Sequence, residues 1–232
     1  MCVASALLLS GMFYATKPAS DRNEVVFNKR AILAAVGTHL GKDLNRMSDQ
    51  EVLDLFDTQV EQVALNMNGE VLEGVLAEKI DMAKERKKPE ADRILPMFIF
   101  TTQDGNKFYI LSVRGSGLWD EIWGNIALGE DLNTIAGASF DHKAETPGLG
   151  AEIKDNPAFP AQFINKQIYN KTGQLVAVNV KKGGIQEPLH QVDAISGATI
   201  TSNGVTEMLQ RGLGYYEPYL QKLRGQGATG MN

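Results

Sequence analysis

The sequence predicts an α+β fold, with a mainly antiparallel sheet and flanking helices, preceded by an N-terminal membrane helix. Three observations carry that reading. From Ile94 onward, strand-length apolar runs follow one another across short turn signals. The helical stretches punctuate that run of strands instead of alternating with it, which argues against βαβ units. Met1 to Ala15 carries no charge and is apolar on all sides.

That first segment is too short to span a bilayer by itself, which takes about 20 apolar residues. No basic residue precedes it, as one would in a signal peptide. It reads as the outer half of a membrane helix whose start is missing from the sequence, with Tyr14 and Lys17 marking the interface. Helical periodicity over Glu24 to Val36 carries this helix outward. Ser48-Asp-Gln-Glu51 is a capping box opening a helix through about Leu65, with Val52, Leu55, Phe56, Val60 and Val63 on one face. Asn68-Gly69 turns into a short strand around Val71 to Leu76. The charge-rich stretch Asp81 to Arg93, with Pro89, is a solvated connector or helix to which no function is assigned.

Ile94 to Thr101, the turn Asp104-Gly105-Asn106 and Phe108 to Val113 form a hairpin. Two further strands follow near Ile122–Leu128 and Thr134–Phe140. Ala158 to Ile168 reads as a helix, Leu175 to Lys181 as a strand, and Ser202 to Leu223 as a C-terminal helix. The chain therefore divides into a partial transmembrane helix (1–15), a membrane-proximal helical and connecting region (16–93), a principal domain (94–225) and a tail (226–232).

Composition excludes several functions. A formal net charge of −5 over 232 residues gives no electrostatic reason to expect nucleic acid. The single cysteine, Cys2, rules out an internal disulfide and a cysteine-ligated cluster. His39, His142 and His190 fall in no metal-site spacing, and the acidic residues form no EF-hand or zincin pattern, so no metal site is expected.

The most informative run is Asp193-Ala-Ile-Ser196-Gly197-Ala198-Thr199. A threonine hydroxyl is a poor nucleophile unless activated, and no histidine, lysine or cysteine lies close by. Small neighbours leave the hydroxyl open to a second protein, and Thr201 or Ser202 could cap the helix that follows. Anions sit well at a helix N-terminus, where backbone N–H groups point outward. The local chemistry suits a phosphate-bearing group on Thr199. Taken alone, however, Ser-Gly-Ala-Thr reads as an ordinary turn into a helix.

A second run is Asp141-His142-Lys-Ala-Glu145-Thr146-Pro147-Gly148-Leu149-Gly150, where two glycines flank Leu149 and let backbone approach a flat ligand. A third is Gly115-Ser-Gly117-Leu118-Trp119-Asp-Glu-Ile-Trp123-Gly124. Trp119 there either stacks on a ligand or fills the core. Lys181-Lys182-Gly183-Gly184 either brings a cation to a ligand or is a surface pair. His142 and His190 read as structural.

Together these runs resemble the covalent-FMN-binding domain family. The Asp193–Thr199 run, with Thr-Ser-Asn-Gly-Val at 201–205 behind it, is similar to the family's flavinylation motif. The Glu145–Gly150 run matches its second flavin loop, and Gly117-Leu118-Trp119 a Gly-Leu-Trp segment. The resemblance covers about Ile94 to Leu223 and makes 94–225 an FMN-binding domain. It implies FMN in a phosphoester to Thr199, placed there by a separate flavin transferase that reads Asp193. It implies contacts from Ser196, Gly197 and Ala198, from Glu145, Thr146, Gly148, Leu149 and Gly150, and from Trp119. Thr146 and backbone groups would meet the polar edge of the ring and Leu149 its face.

By the same resemblance the chain is an electron-carrier subunit of a membrane respiratory complex, with other subunits of that complex as partners. It would be single-pass in the bacterial inner membrane, with its soluble domain on the periplasmic side. Two branches of the family fit. The stretch Leu40 to Arg93 and the Gly-Leu-Trp segment resemble the branch of the Na⁺-translocating NADH:quinone reductases more than the Rnf-type electron-transport branch. A reading from another class is a non-redox, membrane-tethered binding domain in which Thr199 is never modified.

Overall fold

The computed structural model describes residues 2–229, with the side chains of residues 10–14 and 16–225. The centre of the molecule is one five-stranded antiparallel sheet in the sequential order β1-β2-β3-β4-β5. Its strands are β1 (Val60–Asn66), β2 (Ile94–Thr101), β3 (Lys107–Ser116), β4 (Glu121–Leu128) and β5 (Ile135–His142). Both faces are covered, so the strands read as nearly continuous apolar runs, yet the period of two still sorts the side chains. Leu95, Met97, Leu111, Val113, Ile122 and Ile126 join one core, and Phe98, Phe100, Ile110 and Ala127 join the other.

The second core is closed by α1 (Cys2–Ala34) and α2 (Asp49–Gln59). The outward half of α1 packs through Val26, Ile32 and Leu33. It is tied down by Asn125 Nδ2 and Ser139 Oγ, which both donate to the Ala31 carbonyl at 3.2 and 2.9 Å. Earlier in the helix Met12, Phe13 and Tyr14 are exposed. Among the described residues no helix is long and apolar enough to cross a membrane. Met1 lies outside the described residues, as do the side chains of 2–9 and 15. Opening α2, Ser48 and Glu51 form the expected capping box, with Ser48 N donating to Glu51 Oε2 at 2.8 Å.

That helix is shorter than its periodicity predicts. It ends at Gln59, and Val60 to Asn66 pair with Phe100 to Ile94 of β2 as β1. Pairing with an open sheet edge outweighs helical periodicity where Val60 and Val63 are β-branched. The expected strand at Val71 to Leu76 reduces to one bridge, Leu65 to Val71. Asn66 Oδ1 accepts from the amides of Asn68 and Glu70 and closes a turn there, and Val75 and Leu76 are left exposed. The charged connector folds into a short α3 (Met82–Glu85), followed by a 3-10 turn at Glu90–Asp92.

The first core is closed by α6 (Thr199–Thr229) and by the irregular segment between β5 and α6. That segment holds α4 (Glu152–Asp155), α5 (Ala158–Ala161) and a parallel two-stranded pair, β6 (Asn179–Lys181) with β7 (Gln191–Asp193). The helix expected over Ala158 to Ile168 stops at Ala161. Its continuation tightens to bonds spanning three residues, Phe163 N to Pro160 O and Ile164 N to Ala161 O. Asn165 then takes a positive φ of 65°, and its amide turns to the Ile135 carbonyl. The strand expected from Leu175 begins only at Asn179, because Ala177 sits at φ 54°, outside the extended region.

Tyr216 fastens α6 to the sheet. Its hydroxyl lies 2.8 Å from both the Pro96 and Ser112 carbonyls, and burial pushes the phenol far above its usual range. Gly204 and Gly212 let the same helix lie directly on β3, since a Cβ at either would strike Ser116 O or Val113.

Candidate functional site

Three runs far apart in sequence meet where α6 begins. The β3–β4 turn brings Gly117, Leu118 and Trp119; the loop after β5 brings Glu145 to Gly150; the loop after β7 brings Ser196 to Thr201. Glu145 is the point they share. Its side chain is buried, Oε1 accepts from the Trp119 amide at 2.9 Å, and Oε2 accepts from the Thr201 hydroxyl at 2.5 Å. Its own amide donates to His142 Nδ1 at 3.1 Å. A Cβ at Gly117 would come within 2.5 Å of Oε1, and one at Gly150 would strike Oε2 and Thr201. Internal packing around this carboxylate is therefore enough to require glycine at 150.

Thr201 and Ser202 do not cap α6. The helix starts three residues earlier than expected, at Thr199, so both lie within its first turn and are only 1% exposed. The Thr201 hydroxyl turns to Glu145, and Ser202 Oγ accepts from the Ile195 amide at 3.2 Å. The Ala198 carbonyl accepts from the Ser202 amide at 2.9 Å, which makes Ala198 the N-cap, and alanine brings no acceptor side chain. The amides of Thr199, Ile200 and Thr201 thus have no partner within the helix. With them stands the Thr199 side chain, exposed on the first residue of α6.

Around this helix end lies an apolar rim. Trp119 is 67% exposed, Ile200 56%, Leu118 46% and Leu149 41%, so Trp119 is no core residue. Trp119 Nε1 donates to Thr146 Oγ1 at 3.0 Å and links the first two runs. Gly197 sits at φ 77° with Leu149 Cδ2 only 2.7 Å from where its Cβ would be. A side chain there would be strained and would push Leu149 out of place. Gly148, at φ 73°, faces open space.

Asp193 stands apart from this cluster. It ends β7 opposite Lys181, its side chain is exposed, and its amide donates to Gln162 Oε1 at 2.9 Å. Lys181 and Lys182 are both exposed. His142 and His190 each bond backbone, the latter to the Gln167 carbonyl at 2.8 Å. Among the described residues no group of His, Cys, Asp or Glu could hold a metal ion.

The residues present fit a flavin phosphate ester. An exposed hydroxyl on an uncapped helix N-terminus suits a phosphate, because unpaired N–H groups and the helix dipole both favour negative charge there. Trp119, Leu149 and Ile200 leave apolar surface exposed near the start of α6. This fold and site define a flavin-carrying domain, and the FMN-binding domain family matches residues 117–214.

Likeness over nearly the whole chain narrows the class. The C subunit of the Na⁺-translocating NADH-quinone reductase from Pseudomonas aeruginosa is 34% identical, covering 97% of this chain and 92% of that protein. Its Neisseria meningitidis counterpart is 31% identical over 96% of this chain and 90% of its own length. The crystal structure of the C subunit from Parabacteroides distasonis superposes with a TM-score of 0.77 at 35% identity, covering 88% of this chain and 96% of that one. The chain belongs to the C-subunit family of the Na⁺-translocating NADH-quinone reductase, a translocating oxidoreductase.

Proposed function

We propose that the chain is an electron-carrier subunit holding FMN covalently through its phosphate to Thr199. The observation that carries this reading is the convergence of all three sequence runs on an exposed Thr199 at the uncapped start of α6. The other hydroxyls of the helix's first turns are engaged. Thr201 bonds Glu145, Ser202 accepts from Ile195, and Thr206 Oγ1 accepts from the Val180 amide at 2.8 Å. In the attachment step the Thr199 Oγ–P bond forms, the pyrophosphate bond of FAD breaks, AMP leaves and the hydroxyl proton is lost. A separate flavin transferase performs it, with exposed Asp193 as part of what it reads.

Bound FMN supplies reversible electron transfer, and the residues supply a rigid seat for it. The first-turn amides of α6 would hold the phosphate, Thr146 and the loop backbone would bond the polar edge of the ring, and Leu149 and Trp119 would pack on it. Glu145 holds these elements together from beneath. No general acid or nucleophile is needed for turnover. The partners are the other subunits of a membrane NADH:quinone reductase. The N-terminal helix, whose described residues are not by themselves long and apolar enough to cross, would be part of a single-pass anchor in the bacterial inner membrane, with the domain on the periplasmic side.

Co-expression with a flavin transferase tests this. The tryptic peptide 183–211 contains Ser196, Thr199, Thr201, Ser202 and Thr206, and fragmentation should find the added FMN phosphoryl group on Thr199. Thr199→Ala should abolish flavin fluorescence that survives denaturation. Mapping the group to another hydroxyl, or finding none in cells that make the transferase, overturns the assignment.

A further inference from the structure

Arg86 lies outside the matched 117–214 region, in the charged connector to which the sequence assigns no role, yet it reaches the site. Its Nη1 donates to the Gly115 carbonyl at 2.9 Å and its Nη2 to Ser116 Oγ at 2.7 Å. Nη1 also lies 3.4 Å from Glu121 Oε1. These three partners flank the β3–β4 turn, the turn that carries Leu118 and Trp119. Glu121 is gripped from its other oxygen by Arg114, whose Nη2 lies 2.7 Å from Oε2. We infer that Arg86 is a positioning residue for the flavin seat: its guanidinium fork sets the β3–β4 turn so that Trp119 meets Glu145 and Thr146.

The connector that presents Arg86 is itself fastened at several points. Glu85, buried, accepts from the Ile94 amide at 2.9 Å through Oε2. Arg93 donates to the Arg86 carbonyl at 3.1 Å and to the Tyr215 hydroxyl on α6 at 2.9 Å. The backbone that presents the guanidinium is thus held to β2 and to the helix that starts at Thr199. On its near side the turn borders an open cleft lined by Arg86, Lys87 and residues 116–121. Without the fork the turn has room to fall away from Glu145. Within the turn, the Gly117 amide bonds the Asp120 carbonyl at 2.7 Å, so it moves as a unit. Arg86 and Arg114 share the single carboxylate of Glu121, so the geometry of the fork is tested by holding the charge constant. Lysine would keep that charge, but a single ammonium cannot reproduce a planar fork bridging a carbonyl and a hydroxyl.

The first arm of the test does not depend on the flavin assignment; only the second rests on it. In the full chain without flavin, amide hydrogen exchange is followed at Trp119, whose N–H is held by Glu145. Arg86→Met should speed that exchange about tenfold, as loss of a charge-assisted hydrogen bond implies, with α1 and α2 amides unchanged. Arg86→Lys should recover only part of the protection. Ser116→Ala removes the Nη2 bond while keeping Arg86, and should shift Trp119 in the same direction if Arg86→Met does not fold. Unchanged exchange at Trp119, a uniform speeding of all amides, or full protection in Arg86→Lys each overturns the inference. In the second arm, flavin-loaded Arg86→Lys should keep full FMN mass while its visible circular dichroism shifts; an unchanged flavin spectrum at full occupancy overturns the link to the seat. A wild-type chain that takes no flavin removes the Thr199 assignment alone, since the exchange arm remains readable.

Discussion

Thr199 and Thr201 are two residues apart, yet their environments predict opposite consequences when each hydroxyl is replaced by a methyl group of similar size. Thr201 is 1% exposed and its hydroxyl donates to Glu145 Oε2 at 2.5 Å. In Thr201→Val that oxygen loses its donor inside packing that Gly150 has already closed to water. A hydrogen bond to a charged group contributes about 1.5–3 kcal/mol. For a chain of this size each kcal/mol moves the melting temperature by about 2–4 °C, so a fall of roughly 3–12 °C is expected. Thr199→Val changes an exposed side chain and should stay within about 0.5 kcal/mol of the parent. Thermal unfolding of unflavinylated protein by circular dichroism measures the first effect, and peptide mass spectrometry after co-expression with transferase measures attachment. The expected result is a crossed one. Thr201→Val loses stability and keeps covalent FMN, whereas Thr199→Val keeps stability and loses it. A Thr201→Val protein that melts like the parent would refute Glu145 as the clamp of the seat. A stable Thr201→Val without FMN, beside a loaded Thr199→Val, would refute the choice of hydroxyl.

Three further outcomes follow from the contacts. Lys29 is buried, with Nζ 2.5 Å from Asp57 and 3.3 Å from Glu78 and lying over the Phe56 ring, so Lys29→Met should cost about 3 kcal/mol in chemical denaturation. That is the low end for a broken buried pair, because Asp57 is largely exposed. Asp120 is held below the usual aspartate range, first by its bond to Lys143 and then by the Glu121 amide. A lowered folded-state value means its contribution is complete above the unfolded pKa of about 3.9 and disappears as pH falls through the folded one. Below pH 4, therefore, amide protection in the β3–β4 turn, taken relative to the intrinsic exchange rate at each pH, should fall in the parent but not in Asp120→Asn. Asp193→Ala should lower the fraction of chains carrying FMN without moving the flavin spectrum, as measured by intact mass and absorbance, since Asp193 stands outside the seat.

The parts of the fold legible in the sequence were those whose local pattern agrees with their tertiary setting. The β2–β3 hairpin has two strand-length apolar runs with a Gly turn between them, and α2 opens on a capping box that the structure keeps. The misplaced boundaries share one cause. Val60 and Val63 continue a helical stripe on paper, but the edge of β2 offers their backbone a complete ladder, and a sheet edge is invisible to periodicity. After Ala161 the chain departs from a helix because Asn165 and Ile168 bond Ile135 and Asn133, partners about thirty residues away. A window along the chain holds no trace of them.

The site divides the same way, and the division bears on the proposal that attachment falls on Thr199. Small residues and a helix start are local features, and on them alone Ser196-Gly-Ala-Thr199 reads as an ordinary turn into a helix; the resemblance to a flavinylation motif is what points to Thr199. What the sequence could not supply was the fate of the competing hydroxyls. By sequence, Thr201 or Ser202 could cap the helix that follows. Instead the helix begins at Thr199, and one turn of 3.6 residues carries both inward. Thr201 meets a carboxylate 56 positions away, and Ser202 closes the loop that delivers it. Burial by tertiary partners thus leaves Thr199 as the open hydroxyl of the α6 first turn. The Glu145–Thr201 bond that excludes one candidate is also the bond that aligns the second loop beneath the seat. On the proposed reading, one buried carboxylate would both take Thr201 out of competition and hold the loop that faces the flavin ring.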